Sequence, residues 1–236
     1  MKLYILFICA VLFSGIATAQ DDQKYVVKEG TRPKDTFSYA DIYLFPTFTS
    51  GKVYFKNNHV GSGMMNFNRF TREIDFIQGK DTLALSDTET IKNVAIGNDV
   101  FYYQADIGYV QRMAENANVM FGKMESIDVA DRRRQPNSGT SSTTSNGSYN
   151  SQITTGAGTA SGLALKMVEK VDIIYRKKTH YYFRNAKGSF VKADKKSLLK
   201  AYPDKKEALN QYLLQNEVDF QNAESLQTLF NAMTSM

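Results

Sequence analysis

The side chains that could do chemistry are scattered along the chain. There are two histidines, His59 and His180, and neither has an H-x-x-x-H or H-x-H companion at metal-ligand spacing. Serines are plentiful, yet no G-x-S-x-G elbow presents one as a nucleophile. Gly156-Ala157-Gly158 precedes no basic residue of the kind a phosphate loop uses. Asp75, Asp81, Asp87 and Glu89 could pair in space, as hydrolytic acid–base work demands, but nothing selects a pair. Asp87-Thr88-Glu89 is acidic without the spacing or the glycine of a calcium loop. These residues predict no catalytic group, no metal site and no cofactor.

A different chemistry is open to the aromatic stretches Tyr102-Tyr103 and Tyr181-Tyr182-Phe183, the second of which leads into Arg184. Exposed, Tyr102, Tyr103 and Tyr181 would form a platform for a stacked ligand, with Arg184 beside it. Buried, they are strand core. Core packing is the stronger expectation, because cross-strand aromatic pairs stabilise sheets. Tyr102, Tyr103, Tyr181 and Arg184 are the binding candidates that the sequence supplies.

The N-terminus carries an address. Met1-Lys2 is a short basic start, Leu3 to Ile16 is nearly all apolar, and Ala17-Thr18-Ala19 has small residues where a signal peptidase needs them. The expectation is an export signal over 1–19 and a mature chain from Gln20. The apolar run is shorter than the roughly 20 residues of a membrane span. Cys9, the only cysteine, lies inside that run and would leave with it. The mature chain would then lack disulfides, thiolate metal sites and cysteine nucleophiles. The chain has 29 basic and 24 acidic side chains, so losing Lys2 leaves 28 against 24, a net of +4. That balance predicts no nucleic-acid partner. No later segment is long and apolar enough to span a membrane. The expected location is the periplasm, the outer membrane surface or the medium.

The elements that must position these groups read as β over most of the chain, from Tyr39 to about Ile127 within a β-rich region 20–135. Lys52–Lys56 and Met64–Asn68 read as strands around an Asn57-Asn58 turn. Glu73–Ile77 alternates polar and apolar residues, which predicts one buried and one wet face. Gln78–Asp81 turns onto Thr82–Leu85, and Gly97-Asn98-Asp99 turns onto Val100–Tyr103. In residues 136–162, 21 of 27 positions are Ser, Thr, Gly or Asn, the composition of a flexible loop or linker. Arg132-Arg133-Arg134 before it reads as a solvated shoulder or, more sharply, as a docking patch for an anionic surface. Further strands follow over 163–192, interrupted by a turn at Lys177-Lys178. They belong to the same β domain or to a second one. Over 193–236, Asp194, Pro203 and Asn222 mark the starts of short amphipathic helices. Regularly spaced short strands with turn signals predict a mainly β fold, an antiparallel sandwich or partly closed barrel, with a short C-terminal α-helical segment.

Two blocks resemble uncharacterised secreted proteins typical of Bacteroidota. One runs from Phe45-Pro46-Thr47-Phe48-Thr49-Ser50-Gly51-Lys52-Val53-Tyr54-Phe55-Lys56 through Ile74–Ile77 and Asp81–Leu85 to Ile96-Gly97-Asn98. The other runs from Tyr181-Tyr182-Phe183 through Lys195–Lys206 to Val218-Asp219-Phe220. The resemblance implies a periplasmic or surface location, with no activity and no site residues. Asp81-Thr82-Leu83 also resembles the short O-glycosylation acceptor motif of that group. The leading expectation is a non-enzymatic structural or protein-interaction module of the cell envelope, whose partner is an envelope protein or surface component. A β-barrel that binds a small ligand or glycan is the alternative. A hydrolase with an unrecognised carboxylate pair comes last.

Overall fold

The computed structural model describes residues 23–116, 119–133, 171–185 and 187–236. The expected export signal, the polar stretch 136–162, residues 163–170 and Arg134 lie outside the described residues. The described chain is mainly antiparallel β with helices at its C-terminal end, the fold class that the strand and turn pattern predicts.

The strands form one 11-stranded sheet. In chain order they are β1 (Lys24–Val27), β2 (Thr49–Phe55), β3 (Val60–Asn68), β4 (Glu73–Gln78), β5 (Asp81–Ala84), β6 (Ile91–Ile96), β7 (Asp99–Gln104), β8 (Gly108–Glu115), β9 (Met120–Arg133), β10 (Asp172–Arg184) and β11 (Phe190–Lys192). The spatial order is β1-β10-β9-β8-β7-β6-β2-β3-β4-β5, with β11 paired to β10. Short hairpins join most neighbours, and Asn58 supplies the positive φ (67°) that the β2–β3 turn needs. Strands on either side of residues 134–170 pair with each other: β9 and β10 stay in register from Asp172 opposite Arg133 to Arg184 opposite Met120, with one bulge. Lys177-Lys178 is therefore mid-strand and not a turn. A continuous ladder of backbone hydrogen bonds outweighs the weak turn preference of two lysines.

The sheet is open at its edges yet strongly curled. β8 and β9 pair only from Gln111 opposite Lys123 onward, which leaves a fork between them. The turn between β3 and β4 enters this fork. Tyr109 N donates to Arg72 O (3.2 Å) on one side, and Ile127 N donates to Arg69 O (3.0 Å) on the other. The curl brings Val53, Met65, Phe67, Ile74, Val94, Ile96, Phe101, Tyr109 and Met124 into one buried cluster.

Two local expectations are corrected. Tyr39–Ile42 is a short helix, α2, where the aromatic texture predicts β. Ser38 and Asp41 form a reciprocal capping box that fixes the helical turn. A preceding short helix, α1, spans Pro33–Thr36. In β4, Asp75 is buried beside Ile74, so the strand does not follow strict alternation. Asp75 accepts hydrogen bonds from Tyr43 and Asn68, which offset part of the penalty of burying it.

The C-terminal helices are α3 (Lys195–Ala201), α4 (Lys206–Gln215) and α5 (Ala223–Ser235), with a 3₁₀ turn at Pro203–Lys205. Asp194 and Asn222 cap α3 and α5 through bonds from Ser197 N and Ser225 N. Leu198, Leu209, Leu226, Leu229, Phe230 and Met233 close over Phe121 of β9 and Phe183 of β10. Burying each of these side chains is worth on the order of 2 kcal/mol, far more than the intrinsic stability of helices this short. No helix among the described residues is long and apolar enough to cross a membrane.

Candidate functional site

Arg184 ends β10 and lies in register between Met120 of β9 and Phe190 of β11. Its guanidinium carbon sits 4.8 Å from the centre of the Tyr102 ring and 5.8 Å from that of Phe190. Its Nε donates to Gly188 O at 3.0 Å. Gln104 clamps the Phe190 backbone in both directions: Phe190 N donates to Oε1 (2.7 Å) and Nε2 donates to Phe190 O (3.2 Å). Buried Val110 and Met120 support the two rings from below. Next to them Arg112 is neutralised by Glu115 at 2.9 Å. Burial, reinforced by Glu115, raises the Tyr102 phenol above its ordinary range and keeps it protonated. Arg184 has no carboxylate in ion-pair reach among the described residues. It is thus a preoriented cation on an aromatic base, suited to a carboxylate or to a ring with hydroxyls.

The structure brings Tyr102 and Arg184 together and leaves the other candidates elsewhere. Tyr103 packs on Tyr109 at 5.1 Å inside the curl. Tyr181 stacks on Phe121 at 5.9 Å, under the helices. The sequence reading missed Phe190 and Gln104. The Asn185–Gly188 turn was their signal, because a hairpin there sets Phe190 opposite Arg184.

Three other polar clusters are structural in geometry. His180 Nε2 lies 3.0 Å from Ser126 Oγ and 3.2 Å from Asp128 Oδ2. A nucleophilic triad needs serine and acid on opposite ring nitrogens, and here one nitrogen faces both. Burial opposes ionisation of Asp128, but His180 and Arg72, the latter at 2.6 Å, hold its carboxyl far below the ordinary range. Arg69 is the second cluster. It pairs with Glu125 and also donates to the carbonyls of Ala40, Asp41 and Tyr43. The third is Asp75, pushed up to about 6 chiefly by burial. Tyr43 Oη donates to it at 3.0 Å and Asn68 Nδ2 at 2.9 Å. Asp81, Asp87 and Glu89 are exposed and none pairs with Asp75. His59 lies in an exposed turn beside Phe55, and Thr82 lies exposed on edge strand β5. Arg133 pairs with Asp131 at 2.7 Å.

Among the described residues, no group of three or more His, Cys, Asp or Glu side chains is placed to hold a metal ion. The interior of the curl between Leu44, Phe67, Phe101, Tyr109 and Met124 is filled by these side chains and has no room for a water molecule. Comparison with protein-family models, with curated proteins and with solved structures finds no match.

Proposed function

We propose that this chain is a non-enzymatic extracytoplasmic protein of the cell envelope, an interaction module that contacts an envelope component through the Tyr102–Arg184–Phe190 face. The carrying observation is Arg184 itself, fixed over two aromatic rings without an acidic partner among the described residues. A cation held in this way has already lost its rotamer freedom, so a carboxylate that meets it gains a bond with little further ordering. The apolar N-terminal run and the Ala17-Thr18-Ala19 site support export.

A glycan is the second reading for the same face, because Tyr102 and Phe190 offer ring surfaces on which a sugar can stack. The filled interior disfavours the version in which a barrel cavity holds the ligand.

Crosslinking and pull-down from envelope fractions, wild type against Arg184→Ala, tests the proposal. The expected result is a reproducible protein partner that the variant loses. Equal capture by the variant, or recovery of a small molecule or glycan alone, overturns it.

A further inference from the structure

The ladders that join β10 to β9 and β11 also sort its side chains by face. Residues opposite each other across a sheet share a face, and alternate residues of a strand return to it. Tyr181 and Phe183 of β10 and Val191 of β11 pack beneath the C-terminal helices. Lys178, His180, Tyr182 and Arg184 therefore lie on the other face, with Lys192 opposite Tyr182 and Phe190 opposite Arg184. The rings of Tyr182 and Phe190 meet there, over Val110 and Met120. Basic side chains thus stand at four successive positions along this face: Lys178, His180, Lys192 beside Tyr182, and Arg184. Successive positions are about 6.6 Å apart, so the row runs for about 20 Å.

No acid among the described residues neutralises this row. Opposite it on β9 stand Met120, Gly122, Met124 and Ser126, all uncharged. Lys178 and Lys192 are exposed and Arg184 is half-buried, and none of the three makes an ion pair among the described residues. The neighbouring acids are already engaged. Asp128, two residues beyond Ser126, is held by Arg72 at 2.6 Å and by His180 at 3.2 Å. Glu115 is held by Arg112 at 2.9 Å. Asp194, two residues beyond Lys192, caps α3 and accepts from Ser197 N and Ser197 Oγ. The His180–Asp128–Arg72 cluster balances its own charge, which leaves Lys178, Lys192 and Arg184 as the cations on offer.

We propose that the partner presents an extended acidic peptide that lies along β10, with carboxylates on alternate residues facing Lys178, Lys192 and Arg184. This contact rests on the reading of Arg184 as the anchor of the face and extends it along the strand. The spacing favours a polypeptide. Alternate side chains of any extended chain recur at the same interval of about 6.6 Å, so acids and bases stay in step over the whole row. Arg184, held by Gly188 O and seated over the Tyr102 ring, fixes one end and can take a carboxylate on its planar fork. Lys178 and Lys192 are point charges on flexible stems that adjust to the rest.

Titration calorimetry with two synthetic peptides tests it, using the protein isolated as the cell processes it. Both peptides have four glutamates and three serines. In one the glutamates alternate with the serines, and in the other they form a single block. Extended, the first sets all its acids on one face and meets the three cations, while the second sets two there and misses at least one. Each exposed pair contributes up to about fivefold, so the alternating peptide should bind about fivefold tighter. K178Q/K192Q removes two pairs from exposed positions and should weaken the alternating peptide by about twentyfold. Equal affinity for the two peptides overturns the proposal, as does unaltered binding by K178Q/K192Q with a native melting curve. Tighter binding of polygalacturonate than of the alternating peptide, at equal carboxylate concentration, also overturns it. Envelope capture separates this contact from its anchor. Capture that survives Arg184→Ala sinks both, whereas capture lost by Arg184→Ala but kept in full by K178Q/K192Q leaves the anchor standing and overturns the extended contact alone.

Discussion

Arg69 Nε lies 2.7 Å from Glu125 Oε2, with only 7% and 15% of the two side chains exposed. This pair fastens the β3–β4 turn to β9 and so holds the curl. Burial opposes ionisation of Glu125, but Arg69 and Lys123 outweigh it and hold the carboxyl below the ordinary range. Removing one member of a buried pair strands the other. Arg69→Ala should cost about 3–5 kcal/mol, and Arg69→Met with Glu125→Leu should recover only part of that, because the carbonyls of Ala40, Asp41 and Tyr43 still lose their donor. Urea unfolding of the three proteins measures both. A loss under about 1 kcal/mol for Arg69→Ala would show that the turn is held by its backbone bonds alone.

Asp75 and Asp128 should impose opposite pH dependences. The folded pKa of Asp75, about 6, exceeds the ordinary 3.8, so folding favours its protonated form. Its contribution is full below about pH 4 and is lost as pH rises through about 6. Asp75→Asn keeps an acceptor for Tyr43 and Asn68 without the charge. It should be more stable than wild type at pH 8, by up to about 3 kcal/mol, and match it below about pH 4. Asp128 is depressed, so its contribution is present above 3.8 and lost as pH falls through its lower folded value. Asp128→Asn should flatten the acid limb below about pH 4. Thermal melts across pH 2–9 separate the two effects.

Gly108 sits at φ +98°, and a Cβ there would come within 2.6 Å of Arg72 O. Gly108→Ala should cost about 2–4 kcal/mol through strain and displacement of the wedged turn. Hydrogen exchange adds a local readout: the Tyr109 and Ile127 amides, which bond Arg72 and Arg69, should lose protection before the rest of the sheet.

The Tyr109 hydroxyl is fully buried with no hydrogen-bond partner among the described residues. Burial raises its pKa above the ordinary tyrosine range, so it remains a neutral group that has lost its water. Tyr109→Phe should therefore stabilise the protein by about 1 kcal/mol. Destabilisation of similar size in chemical denaturation would reveal a polar partner in solution.

Arg184→Ala should cost only about 1 kcal/mol in stability, the loss of one partly exposed cation–π contact. Its effect on envelope capture should be far larger, at least tenfold. Arg184→Lys keeps the charge but not the planar fork and should not restore capture. Melting curves and pull-down yields from the same preparations distinguish the roles.

Much of the fold was legible because it rests on local signals. Asn57-Asn58 reads as a turn because asparagine tolerates positive φ, and Asp194 and Asn222 read as caps because their carboxyl and amide oxygens accept N-terminal amides. The stripe Leu226, Leu229, Phe230 must be buried against something, and Phe121 and Phe183 cover it. The misreadings arise where distant partners decide. Asp75 looks like a solvent position until Tyr43 and Asn68 arrive from other segments. Lys177-Lys178 looks like a turn until β9 offers a ladder along the whole of β10. The wedge of residues 69–72 between β8 and β9 has no local signature, since two backbone amides remote in sequence receive it.

The same division holds for the candidate site. Composition and spacing offered no metal or nucleophile motif and gave Tyr102, Tyr103, Tyr181 and Arg184 as the binding candidates. Only the tertiary structure decided that Arg184 stands over Tyr102 while Tyr103 and Tyr181, both half-buried, pack against the hydrophobic clusters. Strand alternation tells which residues share a face, but which face meets helices and which meets water depends on how the sheet curls and where α3, α4 and α5 settle. That outcome is set by burial summed over side chains far apart in the chain, which no window of sequence contains.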